Sequence, residues 1–175
     1  MDIILFNGPG HKVDVLKKIP SKASKDTIIV VQGGDDTMNR LAVSSKHVDI
    51  LLDPHLGSRK DFMHQRNSGL NDVLCALAKE HQVAIGFSFS SVLNSTHRVS
   101  LLGRMMQNIR LCRKYKIPMV IGTFARNAWE LRNEKDIQAF FRVLGMTGKE
   151  VQMDFIAKRL DYKKRFVQKG VLLAH

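Results

Sequence analysis

The sequence predicts an α/β fold built on parallel strands, and three observations carry that reading. Short β-rich runs alternate with helical patterns along the chain, the order that parallel strands joined by right-handed crossovers require. The run Thr27–Gln32 is continuously apolar and rich in Ile and Val, as expected of a strand buried on both faces. The helical patterns carry apolar residues at helical spacing along one side. At 175 residues and 44% hydrophobic content the chain suits one domain over 1–175 with a real core.

Taken in order, 2–6 reads as a strand and Asn7-Gly8-Pro9-Gly10 as a turn. Residues 11–19 suit a short helix. Gly33-Gly34 ends the strand 27–32, and 35–44 suits a helix with acids at its positive end. A third strand, 48–52, stops at Asp53-Pro54. A polar basic loop over 55–67 follows. Ser68 is placed to cap the next helix, with Asp72 in its first turn and Leu70, Val73, Leu74, Leu77 and Ala78 as its buried stripe. Strand four spans 83–89. The longest helix, 95–116, puts Leu102, Met105, Met106, Ile109 and Cys112 on one face. Strand five is 118–124, and the helix 133–144 ends at Gly145. The basic tail reads as one or two helices and a short strand near 171–174. A doubly wound sheet and a barrel both satisfy this order, but a full eightfold barrel usually needs about 250 residues.

Charge narrows the partner. Net charge is +12 and the pI is about 10. Residues 1–54 hold seven Lys/Arg and seven Asp/Glu, whereas 55–175 hold twenty-one and nine, so 21 − 9 = +12 lies in the last two-thirds. That is the electrostatic footprint of a polyanion partner. No run approaches the roughly 18–20 apolar residues that span a bilayer, and no helix pairs a Lys/Arg face with Trp/Phe, so a membrane partner is not expected. The start of the chain reads as a strand, not a signal peptide. Cys75 and Cys112 read as reduced core thiols of a cytoplasmic protein.

Catalytic motifs are weak. Gly8-Pro9-Gly10 and Gly33-Gly34 follow strands, but neither makes a phosphate-binding loop. Seven histidines form neither H-x-H nor H-E-x-x-H; Asp53, His55 and His64 are the one set that a metal could draw together. Ser88, Ser90 and Ser91 lack a nucleophile elbow. No catalytic residue, metal site or cofactor is therefore expected in the chain. The basic residues are more informative. Between Ser95 and Arg132 there are eight Lys/Arg and one acid, Glu130. Arg98 lies in the first turn of its helix, against the dipole, pointing to the rim where strands end; an internal salt bridge is the competing reading. Arg104 reads as solvated, and Arg113, Lys114 and Lys116 complement the helix C-terminus. Arg59, Lys60 and Arg66 cluster in the long loop, where arginines grip phosphates bidentately. Trp129 suits either base stacking or a place in the core or an interface.

The combination of Arg66, Ser68-Gly69-Leu70, Val73-Leu74, Val83-Ala84-Ile85 with Phe87, Arg98, Met105-Met106, Trp129 with Leu131-Arg132, Asp136 and Leu144-Gly145-Met146 resembles the ribonuclease P protein component 3 family. The resemblance covers at least 48–146. It implies a compact or incomplete TIM-barrel-like (β/α) fold related to metal-dependent phosphoesterases. It also implies a cytoplasmic protein subunit of the archaeal-type ribonucleoprotein that removes 5′ leaders from precursor tRNA. In that family the RNA is the catalyst and its Mg²⁺ belongs to the RNA; the protein binds ribonuclease P RNA, pairs with a ferredoxin-like subunit among other ribonuclease P proteins, and meets precursor tRNA indirectly. The N-terminal third matches least and is short by one opening strand–helix unit, which leaves closure of the ring open. Glu134 stands where the family often carries proline. On this reading the RNA contacts are Arg59, Lys60, Arg66, Arg98, Arg126 and Arg132. A lone phosphoesterase using Asp53, His55 and His64 is the alternative. A protein bridge with apolar surface around Phe87, Leu93 and Trp129 is the third reading.

Overall fold

The computed structural model describes residues 1–58, 60–168 and 171–172. In chain order the elements are β1 (Ile3–Ile4), β2 (His11–Lys12), β3 (Val15–Leu16), β4 (Val30–Gln32), α1 (Asp36–Val43), β5 (Ile50–Leu52), α2 (Asp72–Glu80), β6 (Ala84–Ser88), α3 (Phe89–Leu93), α4 (Arg98–Tyr115) and β7 (Met119–Gly122). A 3₁₀ turn (Ala128–Glu130), α5 (Glu134–Val143), α6 (Phe155–Arg165) and the antiparallel pair β8 (Phe166–Gln168) and β9 (Val171–Leu172) complete it.

All strand pairs from β1 to β7 are parallel, and β3-β4-β5-β6-β7 form one sheet. Two seams turn this sheet into a ring. At one, β1 pairs with β2, which runs on into β3 as one extended stretch over 11–16. At the other, Ile4 bridges Ala125: the Leu5 N–H donates to the Ala125 carbonyl at 2.8 Å and the Phe124 N–H to the Ile3 carbonyl at 2.8 Å. The hydrogen-bonded circuit therefore closes with six parallel segments (β1, β2/β3, β4, β5, β6, β7), two short of a full eightfold barrel. The fold is a compact TIM-barrel-like one, and the question of closure that the sequence left open has its answer in the turn after β1. That turn, Leu5–Gly10, returns the chain to a parallel neighbour without a helix. It is tight enough that a Cβ on Gly10 would lie 2.8 Å from the Asp2 carbonyl.

Side chains alternate across the wall. Val30, Ile50, Leu52, Ala84, Val120 and Phe124 belong to an inner cluster; Val31, Leu51, Ile85, Phe87 and Ile121 face the helices in the larger outer one. The ring is narrow: a Cβ on Gly86 would sit 2.9 Å from Ile50 Cγ2. The N-terminal end of the ring is closed by α6, whose buried Ile156 joins the inner cluster. Asp49, just before β5 and 2% exposed, fixes that helix. It accepts from the Ile29 N–H at 2.8 Å, Arg159 Nε at 3.0 Å and Lys163 Nζ at 2.5 Å.

Several expectations need correction. The helix over 11–19 is absent; Val13 and Val15 there alternate as strand residues do, and the edges of β1 and β4 offer ladder partners. The cap of α2 is Asn71, whose Oδ1 accepts the Leu74 N–H at 2.8 Å, not Ser68. Gly69 keeps 68–70 out of the helix: its φ is +75° and its backbone lies on the Pro54 carbonyl. With the helix starting later, Val73 is exposed and Cys75 takes its place in the core. The buried stripe of α4 is Leu101, Met105, Ile109 and Cys112, with Leu102 half-buried and Met106 at the surface. Phe89 opens the unanticipated α3. Of the expected strand 171–174, Val171–Leu172 is present and 173–174 lie outside the described residues. Cys75 and Cys112 are free and buried; burial pushes the Cys75 thiol up to about 11 and raises Cys112 well above the ordinary thiol value. No helix among the described residues is long and apolar enough to cross a membrane.

Candidate nucleic-acid interface

Three of the sequence-predicted arginines meet at the C-terminal rim of the ring, around α3 and the 3₁₀ turn. Arg98 is exposed, and its Nε and Nη2 donate to the carbonyls of Val92 at 3.1 Å and Leu93 at 2.9 Å. Its place at the start of α4 is unfavourable for a cation, but the same guanidinium satisfies the negative end of α3, which resolves the conflict. The competing salt bridge is not formed among the described residues. Arg132 is exposed; Nη1 donates to the carbonyls of Trp129 at 2.9 Å and Leu131 at 2.6 Å, and the guanidinium lies 5.9 Å from the Phe89 ring centroid. Arg126 is exposed and makes no salt bridge among the described residues. Its backbone N–H donates to Glu130 Oε2 at 2.9 Å, while Asn94 Nδ2 donates to Glu130 Oε1 at 2.9 Å. The one acid of this stretch thus ties α3 to the turn, leaving the three guanidiniums on the outside.

A second group sits on the β5–α2 loop. Lys60 is exposed there. Arg66 lies against Gly103 of α4, where an added Cβ would meet its Cζ at 2.4 Å, and pairs with Asp61 at 3.4 Å. Gly103 is five residues along α4 from Arg98, a rise of about 7.5 Å, so both groups border one end of the ring. Arg59 lies outside the described residues. Arg104, expected to be solvated, is buried: its Nε donates to Asp61 Oδ1 at 2.8 Å and pins the loop to α4. Arg113, Lys114, Lys158, Arg159, Lys163 and Arg165 pair with carboxylates elsewhere. Arg113 holds Glu150 bidentately through two hydrogen bonds, and despite partial burial the Glu150 carboxyl falls to about 2. The cations that stay clear of acids therefore include Arg98, Arg126 and Arg132 at the rim.

Inside that rim, where barrel enzymes carry their chemistry, the space is nearly filled. A cavity of about 30 Å³, bordered by Gln32, Asp53, Ser88, Ser90 and Arg126, has room for about one water. Asp53 Oδ1 accepts the Ser88 N–H at 2.8 Å and lies 3.7 Å from His55 Nε2. Burial raises its carboxyl to about 7, against lesser opposing effects of the Ser88 and Ser91 bonds and the Arg126 charge. His55 is fully buried and stacks on Phe87, while His64 is exposed in the loop. Among the described residues no three His, Cys, Asp or Glu side chains are placed to share a metal ion. Asp53, His55 and His64 do not form the set that the lone phosphoesterase reading requires. The protein-bridge reading also loses a member, because Phe87 is fully buried.

The model of the family described as RNase P subunit p30 matches residues 12–155. The chain belongs to that family. It is 38% identical to the Ribonuclease P protein component 3 of Methanocaldococcus jannaschii over 146 residues, covering 80% of this chain and 60% of that protein. The protein of the same name from Thermococcus kodakarensis is 33% identical over 157 residues, covering 87% of this chain and 67% of that one. A chain in the cryo-EM structure of archaeal Ribonuclease P with mature tRNA superposes with a TM-score of 0.70 at 32% identity, over 85% of this chain and 64% of that one. The chain thus spans about 60% of the length of the first of these family members. The family match includes the ring from Lys12 of β2 to β7 and the whole candidate rim.

For Trp129 the structure removes one of the options the sequence left open, a place in the core. It is 90% exposed, neither core nor packed against another element. Its signal was the neighbouring Asn127, a strong cap that fixes the turn: Asn127 Oδ1 accepts the N–H groups of Trp129 and Glu130 at 3.0 and 3.2 Å.

Proposed function

We propose that this chain is a protein subunit of ribonuclease P that binds and stabilises the RNA responsible for removing 5′ leaders from precursor tRNA. Membership of the RNase P subunit p30 family carries the reading. The rim cations Lys60, Arg66, Arg98, Arg126 and Arg132, on a chain of net charge +12, supply its physical means. Neutralising phosphates releases condensed counterions and screens repulsion between RNA segments, so the folded RNA needs less Mg²⁺. The Mg²⁺ and the bond cleavage belong to the RNA; the chain contributes no catalytic group or cofactor. Its partners are ribonuclease P RNA, a ferredoxin-like subunit and other ribonuclease P proteins, in the cytoplasm, with precursor tRNA met indirectly.

The test is omission of this subunit from a reconstituted precursor-tRNA processing reaction. Leader cleavage at limiting Mg²⁺ is expected to fall, and to return when the chain is added back. Equal cleavage with and without the chain over the whole Mg²⁺ range refutes the reading.

A further inference from the structure

We propose that Trp129 is a stacking platform for an unpaired base of the bound RNA, with Arg126 and Arg132 on the phosphates beside it. The inference rests on the RNA-binding reading above and adds the form of RNA that this part of the rim takes: single-stranded, not duplex.

The backbone that carries the exposed indole is fixed on both sides. Asn127 caps the turn from one side, and the Arg132 guanidinium donates to the Trp129 carbonyl from the other. The contacts of Arg132 to backbone use Nη1 alone, out of five guanidinium N–H donors. Glu130, the nearest acid, has both carboxylate oxygens engaged within the scaffold.

A protein partner is the other occupant that an exposed tryptophan suggests, but its surroundings differ from such a site. Anchors in protein interfaces sit in a desolvated, mostly apolar centre. Here the other exposed residues from 126 to 136 are Arg126, Asn127, Arg132, Asn133, Glu134, Lys135 and Asp136, with Ala128 the one apolar exception. A π-face beside cations matches single-stranded nucleic acid, whose bases are free to stack while its backbone tracks the charge. A-form duplex keeps its base faces inside the helix, and arginines alone suffice for its phosphates.

Trp129 is the sole tryptophan of the chain, so its emission reports this position alone. The chain is titrated with a single-stranded RNA dodecamer, a blunt duplex of the same length and inorganic polyphosphate, following both tryptophan emission and anisotropy of labelled RNA. Single-stranded RNA is expected to quench the emission to saturation, and duplex and polyphosphate to leave it nearly unchanged. Trp129→Ala is expected to weaken single-strand binding by about tenfold and duplex binding hardly at all, with Trp129→Phe in between. The side chain is 90% exposed, so circular dichroism of the alanine variant should match the parent. If single-stranded RNA binds but neither the emission nor the alanine variant responds, the stacking inference is wrong and the RNA-binding reading stands. If no RNA binds, both fall. Quenching by a partner subunit in place of RNA assigns Trp129 to a protein contact and overturns the inference.

Discussion

Removing the Asp49 carboxylate should loosen the closed end of the ring. The group is 2% exposed and serves three donors: the Ile29 N–H, Arg159 Nε and Lys163 Nζ. Its two cationic partners are 18% and 13% exposed. Breaking a buried pair by deleting one partner costs about 3–5 kcal/mol. Both cations have long stems and some access to water, so Asp49→Ala belongs near the lower figure, about 3 kcal/mol. Asp49→Asn keeps an acceptor for the Ile29 N–H. It should recover roughly 1 kcal/mol, the usual worth of one hydrogen bond, and cost about 2. For a chain of this size each kcal/mol moves the melting temperature by about 2–4 °C, so the alanine variant should melt about 10 °C below the parent. Urea unfolding with parent, alanine and asparagine variants gives the order and spacing directly. RNA affinity of the folded variants should be unchanged, because α6 lies at the end of the ring opposite the arginine rim. An alanine variant as stable as the parent would show that α6 is held by its apolar face alone and refute the account.

Other perturbations test other parts. The Asp53 carboxyl is raised from 3.8 to about 7 on folding, so the folded state holds the proton more tightly than the unfolded one. The stability this lends is whole below about pH 4 and is lost as pH rises through 7, by up to ~4 kcal/mol at 1.36 per unit. Asp53→Asn lacks that loss, so urea titrations at pH 5 and 8 should move in its favour at the higher pH; equal gaps at both would refute the shift. Gly69→Ala meets both a φ of +75° and a Cβ 1.9 Å from the Pro54 carbonyl, and should lose more than about 2 kcal/mol; normal chemical denaturation of that variant would contradict the packing of the loop. Arg126→Ala and Arg132→Ala together should reduce the slope of log K against log salt for single-stranded RNA binding by about 1.4, roughly 0.7 per phosphate contact. An unchanged slope places the RNA elsewhere.

What the sequence disclosed and what it hid follow from how far each feature reaches along the chain. The strands β4 to β7 were legible because strands buried on both faces are continuous apolar runs. The helix α1 was legible from the acids at its positive end and α5 from its stop at Gly145. The segment 11–16 misled because its two strands are two residues each, too short to establish a period of two, and their partners lie in other segments. On α4, Met105, Ile109 and Cys112 are buried as expected, but Leu101 replaces Leu102 and Met106 is at the surface, because the loop that Arg104 and Arg66 pin against the helix helps decide which side is covered. At the rim, charge and residue type pointed to the arginines, but not to which carbonyl or carboxylate each would take. Arg98 and Arg104 were both guanidiniums on one helix, and only tertiary contact separated a cap on α3 from a loop anchor.

The seam between β1 and β7 has a consequence during synthesis. The hydrogen bonds that secure it join partners such as Asp2 and Thr123, 121 positions apart. A nascent chain carries β1 to β6 out of the ribosome before β7 has emerged to complete the circuit. Until then two strand edges stand open to other chains, the condition under which newly made parallel sheets misassemble. Translation past Ala125 is therefore the step that turns an adhesive intermediate into a self-contained body.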